Sequence, residues 1–263
     1  MYSVEEETKG VLEEILMEDR DVIIFDGDDT LWRTQALYDQ AKDQFFDCLQ
    51  GLGLDRRLAI NTFTRIDVEN MATWGFAKQR FPTSMQQAYV QLCQQYAVPI
   101  NEAVLDKIYR IGYMVFDRKP RLMDNVRDML HQLRKKYRLY LYTAGDSEVQ
   151  RSRVEQSGLG QYFDAIYIRA HKNTSELRSV MDSQQLDAAR TWVVGNSLKS
   201  DINPALQLGL QCIWLRGGSW EYDDDVLLPG QVQRVTKLSE IPTIVSRGAI
   251  DVYNGRARVV LAH

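Results

Sequence analysis

The sequence predicts an α/β protein with a doubly wound parallel sheet and a helical segment inserted after the first core strand. Three observations carry this. Short, continuous apolar runs, of the kind buried on both faces of a parallel sheet, recur along the chain. Stretches with helical spacing separate them, which implies parallel crossovers. From about Arg33 to Pro120 this alternation stops and helical spacing alone remains.

The first run, DVIIF, follows a predicted N-terminal helix and ends at Phe25. In the inserted segment, Tyr38, Ala41, Phe45, Cys48 and Leu52 share one helical face. Met85, Ala88, Tyr89, Leu92 and Tyr96 share another, and Leu105, Ile108, Gly112 and Val115 a third. These stripes read as core packing of a small helical domain. Val126, Met129, Leu130, Leu133 and Tyr137 then form the face of a helix that returns to the sheet. The next strands are LYLYT ending at Thr143, AIYIR at Arg169, TWVVG at Gly195 and QCIWLR at Arg216. Gly158 reads as a helix C-cap, and SDINPALQLG as a helix with a Ser/Asp cap that ends at Gly209. QVQRVTK is a weaker strand. In the tail, Asn254-Gly255 signals a hairpin, and a frayed end is an equal reading.

Composition narrows the function class. The 263 residues are 44% hydrophobic and 26% charged, with a formal net charge of −4. That gives no basic footprint for nucleic acid and no polybasic cluster for a membrane surface. The apolar runs are far shorter than the ~20 residues a membrane helix requires. The acidic start MYSVEEETKG lacks the layout of a signal peptide. Cys48, Cys93 and Cys212 are far apart and form no CxxC, so they read as small hydrophobes in a reducing compartment. A cytoplasmic protein is expected, with oligomeric state left open.

The chemistry-bearing stretch is VIIFDGDDTLW, where an apolar strand runs into Asp26, Asp28 and Asp29. Clustered carboxylates repel and resist burial, so something must offset them. A calcium loop starting at Asp26 would need Gly and Glu where the chain has Leu31 and Leu37, so calcium fails. Phosphoryl transfer fits. One carboxylate can attack phosphorus, and a second, two residues on, can protonate the leaving oxygen and then activate water. Magnesium, a hard ion that favours oxygen ligands, would offset the charge. Such a site also needs phosphate donors, a cation and further oxygen ligands. Beyond the second strand stands YTAGD, where Thr143 offers a hydroxyl and Ala144 and Gly145 offer backbone N–H groups at a helix start. Beyond the third stands Lys172, and beyond the fourth Asn196 and Asp201 in VVGNSLKSDIN. Each is weak alone; their order along successive strands is specific.

In these stretches the sequence resembles the haloacid dehalogenase-like (HAD) hydrolase superfamily. The resemblance spans roughly Asp21 to Arg33 and Arg121 to Arg216 and includes all four motifs, DGDDT, Thr143, Lys172 and GNSLKSD. It implies a Rossmann-like core from residues 1–32 and 121–263, and a helical cap of the first type at 33–120. It further implies Asp26 as nucleophile and Asp28 as general acid/base, with Thr143 and Lys172 as phosphate ligands. Magnesium would be held by Asp26, the Asp28 backbone carbonyl, Asn196 and Asp201. Members that displace halide lack the acid at position 28, so phosphate chemistry is favoured. The usual fourth motif has Asp where this chain has Asn196, which contributes a dipole and no charge.

Substrate choice is expected in the cap stretch MATWGFAKQRFPTS, with Trp74 and Phe76 as apolar surfaces and Arg80 as a cation for a second anionic group. A helix-helix turn stapled by aromatics is the alternative. The YDDD run at Tyr222 to Asp225 reads as a solvated loop, and His131, His171 and His263 as structural or exposed. The expected function is magnesium-dependent hydrolysis of a small phosphate monoester through an aspartyl-phosphate. A phosphomutase or phosphotransferase, and a binding protein that kept the fold, are the alternatives.

Overall fold

The structure, a computed structural model, describes residues 20–217, 227–228 and 230–247. The predicted N-terminal helix, the YDDD run and the Asn254-Gly255 hairpin lie outside the described residues.

Strand β1 (Val22–Phe25) lies at the centre of a six-stranded sheet that also contains β4 (Arg138–Ala144), β5 (Ala165–Arg169), β6 (Thr191–Gly195), β7 (Gln211–Leu215) and β8 (Val232–Val235). The order is β5-β4-β1-β6-β7-β8 and every pairing is parallel. Phe25 sits opposite Leu141 on one side and Val194 on the other. The predicted strand ends hold to within about two residues.

Because β1 is buried on both faces, alternate residues feed two cores. Ile23 and Phe25 pack with Leu139, Leu141 and Val194 against α5 (Val126–Arg134), which supplies Val126, Met129, Leu130 and Leu133. Val22 and Ile24 face the other layer with Leu177, Val180 and Met181 of α7 (Thr174–Ser183). Chain order leaves β1 for β4 and β5 on one side and for β6 to β8 on the other. That reversal opens a crevice beyond the carboxyl ends of β1, β4 and β6.

The stretch between β1 and β4 is helical, as its spacing predicts. Helices α1 (Gln35–Gly51), α2 (Arg56–Trp74), α3 (Arg80–Gln95) and α4 (Glu102–Asp117) close on a hydrophobic cluster of their own. Phe45, Phe63, Phe81, Met85 and Ile108 are among its buried members. Leu52 and Tyr96, placed on the buried stripes by spacing, are instead 42% and 45% exposed, because α1 and α3 end just before them. One feature is absent from the sequence expectation. Two short strands, β2 (Trp32–Arg33) and β3 (Arg121–Leu122), pair antiparallel where the helical segment leaves and rejoins the sheet.

Helix α6 (Ser147–Ser157) ends at Gly158 in the left-handed conformation, as expected. After β6 the helix begins earlier than predicted, as a π-helical turn at Leu198–Ile202 capped by Ser197, and continues as α8 (Asn203–Gln207). Cys93 and Cys212 are buried, Cys48 is half-buried, and none of the three is in a disulfide. Burial pushes the Cys212 thiol up to about 12, a structural rather than reactive setting. Among the described residues, no helix is long and apolar enough to cross a membrane.

Candidate active site

The β1 ladder delivers Asp26 to the crevice, its N–H still bonded to the Val194 carbonyl at 2.9 Å. The side chain is buried, with 6% of the residue exposed. Lys172, in the loop after β5, reaches it from the side. Its ammonium donates to Asp26 Oδ1, to Asp201 Oδ1 at 2.5 Å and to the Tyr142 carbonyl at 3.5 Å. Burial raises the Asp26 carboxyl above its ordinary range, with Asp201 and Asp28 adding to the effect and Lys172 opposing it. Burial also works against the Lys172 ammonium, but Asp201 and Asp26 outweigh it and push that group upward. Two buried carboxylates therefore share one fixed cation.

Asp201 reaches this position because residue 195 is glycine. Its Oδ2 accepts from the Ser197 N–H at 3.0 Å. A Cβ on Gly195 would stand 2.3 Å from the Asp201 carboxylate carbon. Gly195→Ala should therefore displace Asp201, costing about 1–3 kcal/mol of stability as an overpacked site does. Activity should fall on the order of a hundredfold, because small misplacements of reacting groups are expensive. Thermal melts and turnover of this single variant check both.

The three clustered carboxylates have three different settings. Asp29 adopts a left-handed backbone, φ 59°, and its carboxylate accepts from the Thr34 and Gln35 N–H groups and the Thr34 hydroxyl at 2.7–3.1 Å. It holds the start of α1 and turns away from the chemistry. Asp28 is fixed by three donors. Trp32 Nε1 donates to Oδ1 at 2.6 Å, while Gln150 Nε2 and Arg153 Nη1 donate to Oδ2 at 2.8 and 2.6 Å.

Thr143, at the end of β4, has a buried hydroxyl with no partner among the described residues, an orphan that a phosphate oxygen would satisfy. The neighbouring expectation needs correction at Gly145. The Gly145 N–H is already given to the Arg169 carbonyl at 2.9 Å. The Ala144 carbonyl accepts from Gln150 Nε2, and the first N–H groups of α6, those of Glu148 and Val149, are taken by the Asp146 carboxylate. The chain's own Asp146 thus fills the helix-start anion position, although Ala144 and Gly145 still line the cavity. Asn196 is buried; its Oδ1 accepts from the Thr30 hydroxyl at 3.2 Å, while its Nδ2 has no partner among the described residues. Among the described residues, no group of three His, Cys, Asp or Glu side chains is placed to hold a metal. With an amide at 196, the oxygen donors brought together are the Asp26 and Asp201 carboxylates and Asn196.

Over these groups lies a cavity of about 340 Å³ between the sheet edge and the helical segment. Phe76 and Arg80 line it, but Trp74 does not; as the last residue of α2 it is 41% exposed. Arg80 is no waiting cation. It is buried and ion-paired with Asp67 of α2, itself buried. His171 is exposed as expected, but it lines the same cavity, its ring 6.5 Å from that of Phe76. Sequence reading missed Gln150 and Arg153, which reach Asp28 from α6, and Tyr38 of α1, which lies close enough to Arg153 and Asp28 to feel their charges. A signal was present: the buried face of α6 carries Gln150, Arg153 and Ser157 where an ordinary core helix would carry only apolar side chains.

Residues 23–215 match the family described as haloacid dehalogenase-like hydrolase. N-acylneuraminate-9-phosphatase of Mus musculus is 35% identical over 100 residues, 36% of this chain, and the matched part is 40% of that relative's length. A haloacid dehalogenase-like family hydrolase from Xanthomonas campestris superposes with a TM-score of 0.74 at 26% identity, over 90% of this chain and 94% of the other. HAD-hydrolase YfnB from Bacillus subtilis, bound to magnesium, shares the fold with a TM-score of 0.60 at 23% identity, over 86% and 99% of the two chains.

Proposed function

Because the chain belongs to the haloacid dehalogenase-like hydrolases, we propose that it is a phosphatase acting on a small phosphate monoester through an aspartyl-phosphate at Asp26. The observation that carries this reading is the second carboxylate. Asp28 lines the same cavity as Asp26, is fixed there by three donors, and supplies the second carboxyl that proton transfer to a leaving oxygen requires. The phosphatase relative supports the same reaction class.

In this reading Asp26 attacks phosphorus, a new P–O bond forms, and the bond to the alcohol oxygen breaks. Asp28 gives that oxygen its proton. Water then attacks the aspartyl-phosphate, Asp28 takes the water proton, and phosphate leaves. Lys172 and the unpartnered Thr143 hydroxyl hold the phosphoryl oxygens. Asp26, Asp201, Asn196 and the Asp28 main-chain carbonyl are oxygen donors of the type magnesium prefers, and two buried carboxylates sharing one ammonium leave charge for it to offset. Magnesium bound there would offset phosphate charge during transfer. Residues 33–120 serve as a cap over a core that the described residues on either side of them build. The partner is a small-molecule ester, with no nucleic acid or membrane, in the cytoplasm.

Phosphate release from a panel of phosphorylated metabolites, with and without magnesium, tests the proposal. No release from any ester, or transfer to a second sugar without release, would refute it. The metal assignment has a separate test. Asp201 brings a formal charge and Asn196 only a dipole, so Asp201→Asn should raise the magnesium requirement about tenfold or more. Asn196→Asp should lower it or leave it unchanged. Magnesium titrations of activity and of melting temperature in both variants decide, and equal large losses would show that Asn196 has a different role.

A further inference from the structure

We propose that the cavity selects phosphate esters whose alcohol portion is electrically neutral, with an apolar body and a hydroxyl or carbonyl oxygen placed to meet Arg153. This rests on the phosphatase reading and adds to it the class of alcohol.

The phosphoryl group is met at the sheet edge by Lys172 and Thr143. Away from that edge, the wall is apolar: Tyr38, Met71, Phe76, Phe81, Phe116 and Val149 line it. Two guanidinium groups reach this half, and each already has a carboxylate. Arg80 is paired with Asp67, the two side chains being 7% and 4% exposed. Arg153 is paired with Asp28 at 2.6 Å. Lys199, the other cation lining the cavity, is not free either. Asp146 adds a further negative charge to the lining. Its carboxylate takes the Glu148 and Val149 N–H groups, with the Lys78 N–H more distant at 3.5 Å.

A substrate carrying a second carboxylate would be desolvated here without an uncommitted cation among the described residues, next to Asp28 and Asp146. A neutral oxygen faces no such penalty. Arg153 Nη2 is buried and has no partner among the described residues, and a hydroxyl or carbonyl oxygen can accept from it. A volume of about 340 Å³ suits a phosphate with a small organic body.

The experiment compares two esters that differ by one charge, phenyl phosphate and 4-carboxyphenyl phosphate, on the full chain with magnesium. The neutral ester should have the higher kcat/KM by about tenfold or more. Equal values, or a preference for the carboxylated ester, would overturn the inference while leaving the phosphatase reading intact. Release from neither ester, with other monoesters also refused, would count against the phosphatase reading and remove this inference with it. Asp67→Asn keeps the shape of the pair and frees the charge of Arg80. It should move the ratio toward the carboxylated ester by about threefold or more. An unmoved ratio in a folded variant would show that Asp67 is not what silences Arg80, and would overturn that part of the assignment. The wild-type ratio needs no variant, so a misfolded mutant does not remove the test.

Discussion

Replacing Asp26 with Asn should lower kcat on the order of ten-thousand-fold or more, since an amide cannot open the covalent route and nucleophile deletions are of that size. The fold should survive. Asp26 is buried among Asp201 and Asp28, and burial raises its carboxyl above the usual range, so its ionised form is disfavoured where it stands. A neutral isostere removes that cost. It weakens only one of the two ion pairs of Lys172, because Asp201 remains. The melting temperature should therefore hold or rise while turnover disappears. Steady-state phosphate release and a thermal melt on one preparation separate the two effects. A variant that kept a tenth of wild-type turnover would rule out Asp26 as the nucleophile.

Lys172→Met should be costly for both activity and folding. The ammonium is the fixed countercharge for Asp26 and Asp201, and all three side chains are almost fully buried. Removing one partner of a buried pair leaves uncompensated charge, at a cost of about 3–5 kcal/mol. Turnover should fall about 100-fold or more as a donor to the phosphoryl group is lost. The sign can be checked by a second change. Adding Asp201→Asn to Lys172→Met removes one of the stranded carboxylates, so the double variant should be more stable than the single one. Denaturant midpoints in the presence of a chelator, which prevents added cations from masking the effect, measure this. A single variant as stable as wild type would mean that the carboxylates are compensated by something other than Lys172.

Much of this site could be read from residue order because strand ends are local signals. The apolar runs stop where the sheet stops, and Asp26, Thr143, Lys172 and Asp201 stand at those stops or a few residues past them, so strand ends and residue chemistry together brought them to one edge. What could not be read was who pairs with whom. Arg80 looked like a spare cation until the packing of α3 on α2 set Asp67 against it, a contact that no spacing rule encodes. Gly145 looked like a phosphate donor until β5 claimed its N–H. Asp28 itself did not point to Gln150 and Arg153, which lie more than a hundred residues away along the chain; the polar residues of α6 were the one signal for them. Strands β2 and β3 escaped for a different reason: two residues cannot show a period.

That small ribbon has a consequence for how such a protein can change over time. Arg33 and Arg121 are partners across a single rung, so the long helical excursion departs and comes back at one place on the sheet. The sheet needs only those two ends to stay together, whatever hangs between them. Lengthening or replacing the excursion alters its closure entropy only slowly, since each doubling of a flexible loop costs about 0.6 kcal/mol. In the proposed reading, the reacting groups at the strand ends and the cavity wall above them can thus diversify at different rates. An exchange of residues 34–120 with those of a relative, joined at this rung, is the recombination the architecture tolerates most readily.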